Sequence, residues 1–158
     1  MAAVSEVTIR PYREGDLDSV IAVFQAAICG TAARDYSPAQ IAAWARADRR
    51  AWARARMDRP TWVAELGAAP IGFTDLEADG HLDMMFVDPA HQGRGVASGL
   101  LATVEAAARA GGLSRIFTEA SITARPFFER RGFRLIAAQS VAIRGQVLTN
   151  FRMDKLLG

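Results

Sequence analysis

Apolar and polar positions alternate through Val7-Thr8-Ile9-Arg10, a period of two that predicts a short strand closed by Pro11. The rhythm then changes to helical spacing, with Leu17, Val20, Ile21 and Phe24 on one face behind Asp16 as a candidate cap. A second helix has a clear start: Ser37 is the cap, Pro38 opens it, and Gln40 completes a Ser-x-x-Gln capping box. Its apolar positions run through Ile41 and Trp44 towards Trp52, with a break expected near Asp48. After Pro60, Trp62 to Leu66 and Ile71 to Leu76 read as a hairpin about a turn at Gly67-Ala68-Ala69-Pro70. A turn at Asp79-Gly80 leads into an apolar stretch from Leu82 to Val87. A helix over 96–110 aligns Val96, Leu100, Val104 and Ala107, and Gly111-Gly112 ends it. Ile116-Phe117-Thr118 predicts a strand, and Thr123 a cap for a brief helix holding Pro126, Phe127 and Phe128, stopped at Gly132. Phe133–Ile143 and Gln146–Met153 then make a last pair of strands around Arg144-Gly145.

No linker or low-complexity segment divides residues 1–158, so the pattern predicts one α/β domain. The hairpins imply antiparallel neighbours, and the strand–helix–strand unit over 82–118 implies a right-handed parallel crossover. The expected architecture is a mixed, mostly antiparallel sheet with a central parallel pair and helices on both faces. A ligand is expected at the carboxyl end of the parallel strands.

Composition narrows the function classes. Apolar residues make up 51% of the chain, enough for a packed core. The formal charge of +2 is too small for a nucleic-acid signature. The arginines at 46, 49, 50, 54, 56 and 59 read as a solvated helix face, because Asp48 and Asp58 interrupt the run. The single cysteine, Cys29, excludes an internal disulfide and reads as a small buried residue in a reducing, cytoplasmic protein. No signal pattern and no apolar run long enough for a bilayer stand in the sequence, so no membrane partner is expected. The two histidines, His81 and His91, lack zinc-motif spacing, and no metal is expected.

The chemistry concentrates in Phe86-Val87-Asp88-Pro89-Ala90-His91-Gln92-Gly93-Arg94-Gly95-Val96-Ala97. A strand stops at a proline, a loop with two glycines follows, and a helix starts at once. Glycine lets backbone approach a ligand closely, and a helix start offers unpaired amides and a positive dipole end. The order suits a diphosphate. It is not a dinucleotide fingerprint, since Ser98 stands where the third glycine belongs, and no Gly-Lys-Ser/Thr exists for a Walker loop.

Gln92-x-x-Gly95-x-Ala97 after Val-x-Pro resembles the acyl-CoA loop of the GCN5-related N-acetyltransferase (GNAT) superfamily, and the element order agrees along nearly the whole chain. Tyr36-Ser37-Pro38-Ala39-Gln40 and Thr149-Asn150-Phe151-Arg152-Met153 resemble a bacterial subgroup of that family. The resemblance implies acetyl transfer from acetyl-CoA to an amine of a small molecule or peptide, with both substrates bound together. It implies that amides from Gln92 through Gly93, Arg94, Gly95, Val96 and Ala97, helped by Ser98, hold the diphosphate. Main-chain groups of Phe86 and Val87 would pair with the pantetheine arm, and Arg131 would serve a CoA phosphate.

The second family signature, Asn-x-x-Ala-x-x-x-Tyr-x-x-x-Gly-Phe, corresponds to Ser121 through Gly132-Phe133, with Ser121 for the asparagine and Phe128 for the acidic tyrosine. A phenyl ring donates no proton, so the family's usual acid is absent there. A thiol pKa of about 8.5 lets CoA leave unprotonated, and Tyr36 or Ser121 remain candidate assistants. His81 and Asp83 lie two apart on the expected strand and share a face. Asp83, acting through water, is the first candidate base and His81 the second; the alternative makes both solvated hairpin-end residues. Trp44 and Trp52 read as pocket wall or core, Met84 and Met85 as packing residues beside the pantetheine strand, and Asn150 as an acceptor contact or a strand end. The rival class is an acyl-CoA-binding module without turnover. An RNA-directed acetyltransferase fits the weak charge poorly, and the paired final strands make a homodimer reasonable.

Overall fold

The computed structural model describes residues 6–158. Strands β1 (Val7–Pro11), β2 (Thr61–Leu66), β3 (Ala69–Asp75) and β4 (Met85–Val87) form an antiparallel sheet in that order. A second antiparallel sheet, in the order β5-β7-β6, contains β5 (Arg115–Ser121), β6 (Arg134–Ile143) and β7 (Gln146–Leu156). The helices are α1 (Leu17–Gly30), α2 (Pro38–Trp44), α3 (Arg49–Asp58), α4 (Val96–Ala110) and α5 (Arg125–Arg130). The expected central parallel pair is reduced to one bridge, His81 opposite Phe117, which joins the two sheets.

Local chemistry explains most boundaries. Ser37 Oγ accepts from the Gln40 amide (3.1 Å) and Gln40 Oε1 from the Ser37 amide (2.7 Å), which is the expected capping box. The break near Asp48 is real, because Asp48 Oδ1 accepts the Arg50 and Ala51 amides and starts α3 as a separate helix. Arg144 (φ 44°) and Gly145 (φ 83°) make the left-handed two-residue turn that a β6–β7 hairpin favours.

Two expected caps are displaced by stronger partners. Asp16 ends a 3-10 turn (Glu14–Asp16) and gives its carboxylate to the Arg10 guanidinium and the Arg13 amide. Thr123 donates to Asp35 Oδ2, while Ser121 Oγ accepts the Ala124 amide at the entrance to α5.

One face of the first sheet packs Val20, Phe24 and Ile28 of α1 with Trp52 against Val63 and Phe73. Ring centroids of Phe24 lie 4.7 Å from Trp52 and 5.0 Å from Phe86. The other face takes Val96 and Leu100 of α4 against Gly72, where a Cβ would meet their methyls at 3.1 and 3.3 Å. The helical run Glu14–Arg34, at 21 residues, is long and apolar enough by composition to cross a membrane, contrary to the sequence expectation. Its apolar face is instead core. Cys29 is exposed on the outer side of α1, which corrects its expected burial.

Candidate active site

Leu82 is the last residue of its segment bound to β5: its amide donates to Phe117 O (2.8 Å), and Thr118 Oγ1 donates to Leu82 O (2.8 Å). Beyond it the chains separate. The expected strand over 82–87 therefore shrinks to Met85–Val87, interrupted at Asp83 and Met84. β4 pairs with β3 along one edge, Thr74–Met85, Phe73–Phe86 and Gly72–Val87, and among the described residues no strand covers its other edge. A cavity of about 550 Å³ fills the divergence, walled by β4, β5, α5, the ends of α1 and α2, and the glycine loop. That volume lies in the usual range for small-molecule sites, about 300–1,000 Å³.

The glycine loop closes one end. Gly93 (φ 78°) and Gly95 (φ 74°) are left-handed, and a Cβ at either would meet no protein atom within 4 Å. Their requirement is thus backbone conformation, not packing. Gly99 makes the first intrahelical bond to Gly95 O (3.0 Å), which leaves the amides of Val96, Ala97 and Ser98 without helical acceptors. The Arg131 guanidinium donates to Ser98 Oγ and lies 4.7 Å from the Phe127 ring centroid. Amides, dipole and guanidinium converge on one spot. That donor set fits a diphosphate.

A charged cluster occupies the opposite end. His81 Nδ1 donates to Glu77 Oε1 (2.9 Å) and Nε2 to Glu119 Oε2 (2.6 Å), with its ring stacked on Phe117. Arg59 Nη1 donates to Glu77 Oε1 (2.9 Å) and Asp83 Oδ2 (3.2 Å). The hydrogen bond to Glu119 pushes the His81 pKa up to about 9, against the opposing effect of burial. His81 is therefore an imidazolium at neutral pH, with both nitrogens donating, and holds no lone pair for a proton. A folded pKa above the unfolded value of 6.5 stabilises the protein most below that value and is lost as pH rises through about 9. The unfolding free energy should fall across that window, and His81→Gln should flatten the fall in urea titrations at pH 6 and 9.

The cavity is lined by Asp83, Phe86, Val87, Gln92, Gly93, Gly95, Val96, Ala97, Ser98, Ser121, Phe128 and Arg131 among the residues singled out in sequence. Gln92 Nε2 also donates to Thr31 Oγ1 (3.1 Å), which ties the loop to the end of α1. Three others lie elsewhere. Arg94 lines a separate depression with Glu6, Val7 and Ile9. His81 stands behind the wall, between its carboxylates. Tyr36 donates to Thr149 O (2.6 Å) and accepts the Ile122 amide (3.0 Å), so its hydroxyl ties β7 to the β5–α5 turn. Burial pushes that phenol up.

Ser121 faces the cavity with its Oγ engaged as the acceptor for Ala124, and Phe128 lies buried against Phe133. Trp44 and Met85 are cavity wall, Trp52 and Met84 pack with the aromatic core, and Asn150 is half-buried outside the cavity. The arginine run divides: Arg46, Arg49, Arg50 and Arg54 are exposed, but Arg56 and Arg59 turn inward to Asp75, Glu77 and Asp83. Glu119, a cavity residue, was not anticipated. Its position two before Ser121 on one strand is the signal that could have found it.

These elements define an α/β domain whose sheet parts beside β4 over a cavity closed at one end by a glycine loop and the amides of a helix start. Residues 32–155 match the model of the acetyltransferase (GNAT) domain. The chain is 41% identical over 150 residues to the uncharacterized N-acetyltransferase YafP of Escherichia coli, covering 95% of this chain and 96% of that protein. A GCN5-related N-acetyltransferase from Rhodopseudomonas palustris superposes with TM-score 0.94 at 34% identity, over 99% of each chain. The fold is also that of PaiA N-acetyltransferase from Thermoplasma acidophilum, solved with coenzyme A, at TM-score 0.77 and 19% identity over 96% of this chain and 99% of that one. The chain belongs to the GNAT family of N-acetyltransferases.

Proposed function

We propose that this protein transfers the acetyl group of acetyl-CoA to a primary amine of a small molecule or peptide by direct attack in a ternary complex. The observation that carries the reading is the uncovered edge of β4 running from the glycine loop to the acidic end of the cavity. An extended thioester arm laid along that edge pairs with main-chain groups of Phe86 and Val87 as an added strand. The loop amides over 92–97, with Ser98 and Arg131, hold the diphosphate. When bound, acetyl-CoA supplies an acetyl thioester whose C–S bond breaks as the acceptor nitrogen bonds to the acyl carbon.

The chain's own task is then to orient and to move protons. An amide of β4 facing the acyl oxygen stabilises its developing charge. An ammonium acceptor must first lose a proton, and Asp83, through water, takes it. Its carboxylate is the acidic group on the β4 side of the cavity, and His81 is already protonated. No acid is demanded of Phe128, because a thiol of pKa about 8.5 leaves readily as the thiolate. The second proton shed by the nitrogen leaves with solvent.

Incubation with acetyl-CoA and a panel of amines, following free thiol and acetylated product, tests this reading. Thiol release matched by acetylated acceptor is the expected result. Tight CoA binding with no acceptor-dependent release would instead mark an acyl-CoA-binding module.

A further inference from the structure

The cleft exists because β4 leaves β5 after Leu82, and one carboxylate stands where it leaves. The amides of Asp83 and Met84, the next two in line, both donate to Asp75 Oδ1 at 2.9 Å. The adjoining carbonyl is held as well: Met84 O accepts from the Asp75 amide (3.2 Å) and from Thr74 Oγ1 (2.8 Å). Asp75 thus replaces β5 as the partner of the Asp83–Met84 segment. Its other oxygen, Oδ2, accepts from Arg56 Nη2 at 2.9 Å.

Stability alone is a poor account of this pair. Asp75 is fully buried and Arg56 is 2% exposed, and the Nε and Nη1 atoms of Arg56 have no acceptor. The guanidinium lies 5.7 and 5.9 Å from the Trp52 and Phe73 ring centroids, which offsets part of its desolvation. Buried ion pairs are often matched or exceeded in stability by apolar residues of similar volume, and unpaired donors add further cost. Burial pushes the Asp75 carboxyl up and Arg56 opposes the shift. What an apolar residue cannot do at position 75 is accept two amides at one oxygen.

We infer that Asp75, held by Arg56, is a positioning residue for the acetyl-CoA cleft: it draws the Asp83 and Met84 amides away from β5 and so exposes the edge of β4. It also sets where the Asp83 side chain enters the cavity. The inference rests on the reading that this edge receives acetyl-CoA.

Two double variants separate positioning from stability. Arg56→Met/Asp75→Asn removes both charges and keeps an amide-accepting oxygen. Arg56→Met/Asp75→Leu removes the charges and the acceptor while keeping a branched side chain with the same number of heavy atoms. The readouts are thermal unfolding, CoA affinity by calorimetry, and hydrogen exchange of the Asp83 and Met84 amides in the unliganded protein. The Asn variant should bind CoA within about threefold of wild type, and the Leu variant at least about tenfold more weakly. In the Leu variant the two amides should exchange at least about tenfold faster than in the Asn variant. Arg56→Met/Asp75→Ala, which cannot overpack, carries the same expectation as the Leu variant. A folded Leu or Ala variant with the affinity and exchange of the Asn variant would overturn the inference, as would failure of both to fold. Absence of CoA binding by the wild type is a different result: it removes the acetyl-CoA reading, and exchange at Asp83 and Met84 then reports on the divergence of β4 from β5 alone.

Discussion

Gly95→Glu should abolish CoA binding. Gly95 sits at φ 74° at the entrance to α4, where it borders the cavity, and a Cβ there would meet no protein atom within 4 Å. A glutamate there adds left-handed strain of about 1–2 kcal/mol and sets a carboxylate among the amides of the anion site. Like charges brought together in a binding site cost several kcal/mol, so affinity for CoA should fall by about 100-fold or more. Calorimetric titration measures this directly. Because a Cβ at this position meets no protein atom, the fold should survive with a melting temperature lower by only a few degrees, about that expected for the strain alone. Unchanged affinity in a folded Gly95→Glu protein would remove the loop from the site.

Asp83→Asn should separate turnover from cofactor binding. Its carboxylate lies at the acidic end of the cavity, 3.2 Å from Arg59 and at the opposite end from the glycine loop. Positioned general bases contribute about 100-fold or more, and a loss of that order is expected in kcat at neutral pH. Affinity for CoA should stay within about twofold of wild type. Arg59 keeps Glu77 as a partner, so little stability is at stake. A normal rate would dismiss Asp83 as the base and direct attention to Glu119, the other cavity carboxylate, which is bonded to His81 Nε2.

The parts of the site that were legible in the sequence are those built from neighbours along the chain. The capping box at Ser37 and Gln40 involves residues three apart, and the glycine loop sets its own dihedral angles before any partner is present. Both are found where the sequence predicts them. The errors have the opposite character. Tyr36 stands in the expected loop, but Thr149 and Ile122 engage its hydroxyl from far along the chain. His81 and Asp83 do share a face, their polar atoms lying within 4.8 Å of each other and of Glu77, but a strand pattern does not show that Glu77 and Glu119 hold the His81 ring nitrogens. The arginine run looked uniform because helical spacing says nothing of which guanidinium will find a buried carboxylate. Arg56 finds Asp75 only once α3 lies against β3.

By itself the sequence determined the succession of strands and helices, the turns and caps, and a glycine-bearing helix entrance suited to a diphosphate, because propensity and backbone dihedrals act over a few residues. The tertiary structure decided where the sheet opens, which acidic residues line the cavity and that His81 is held between two carboxylates. Those outcomes depend on pairings such as Asp75 with Met84, His81 with Glu119 and Arg56 with Asp75, which exist only after distant segments share one register and one low-dielectric interior.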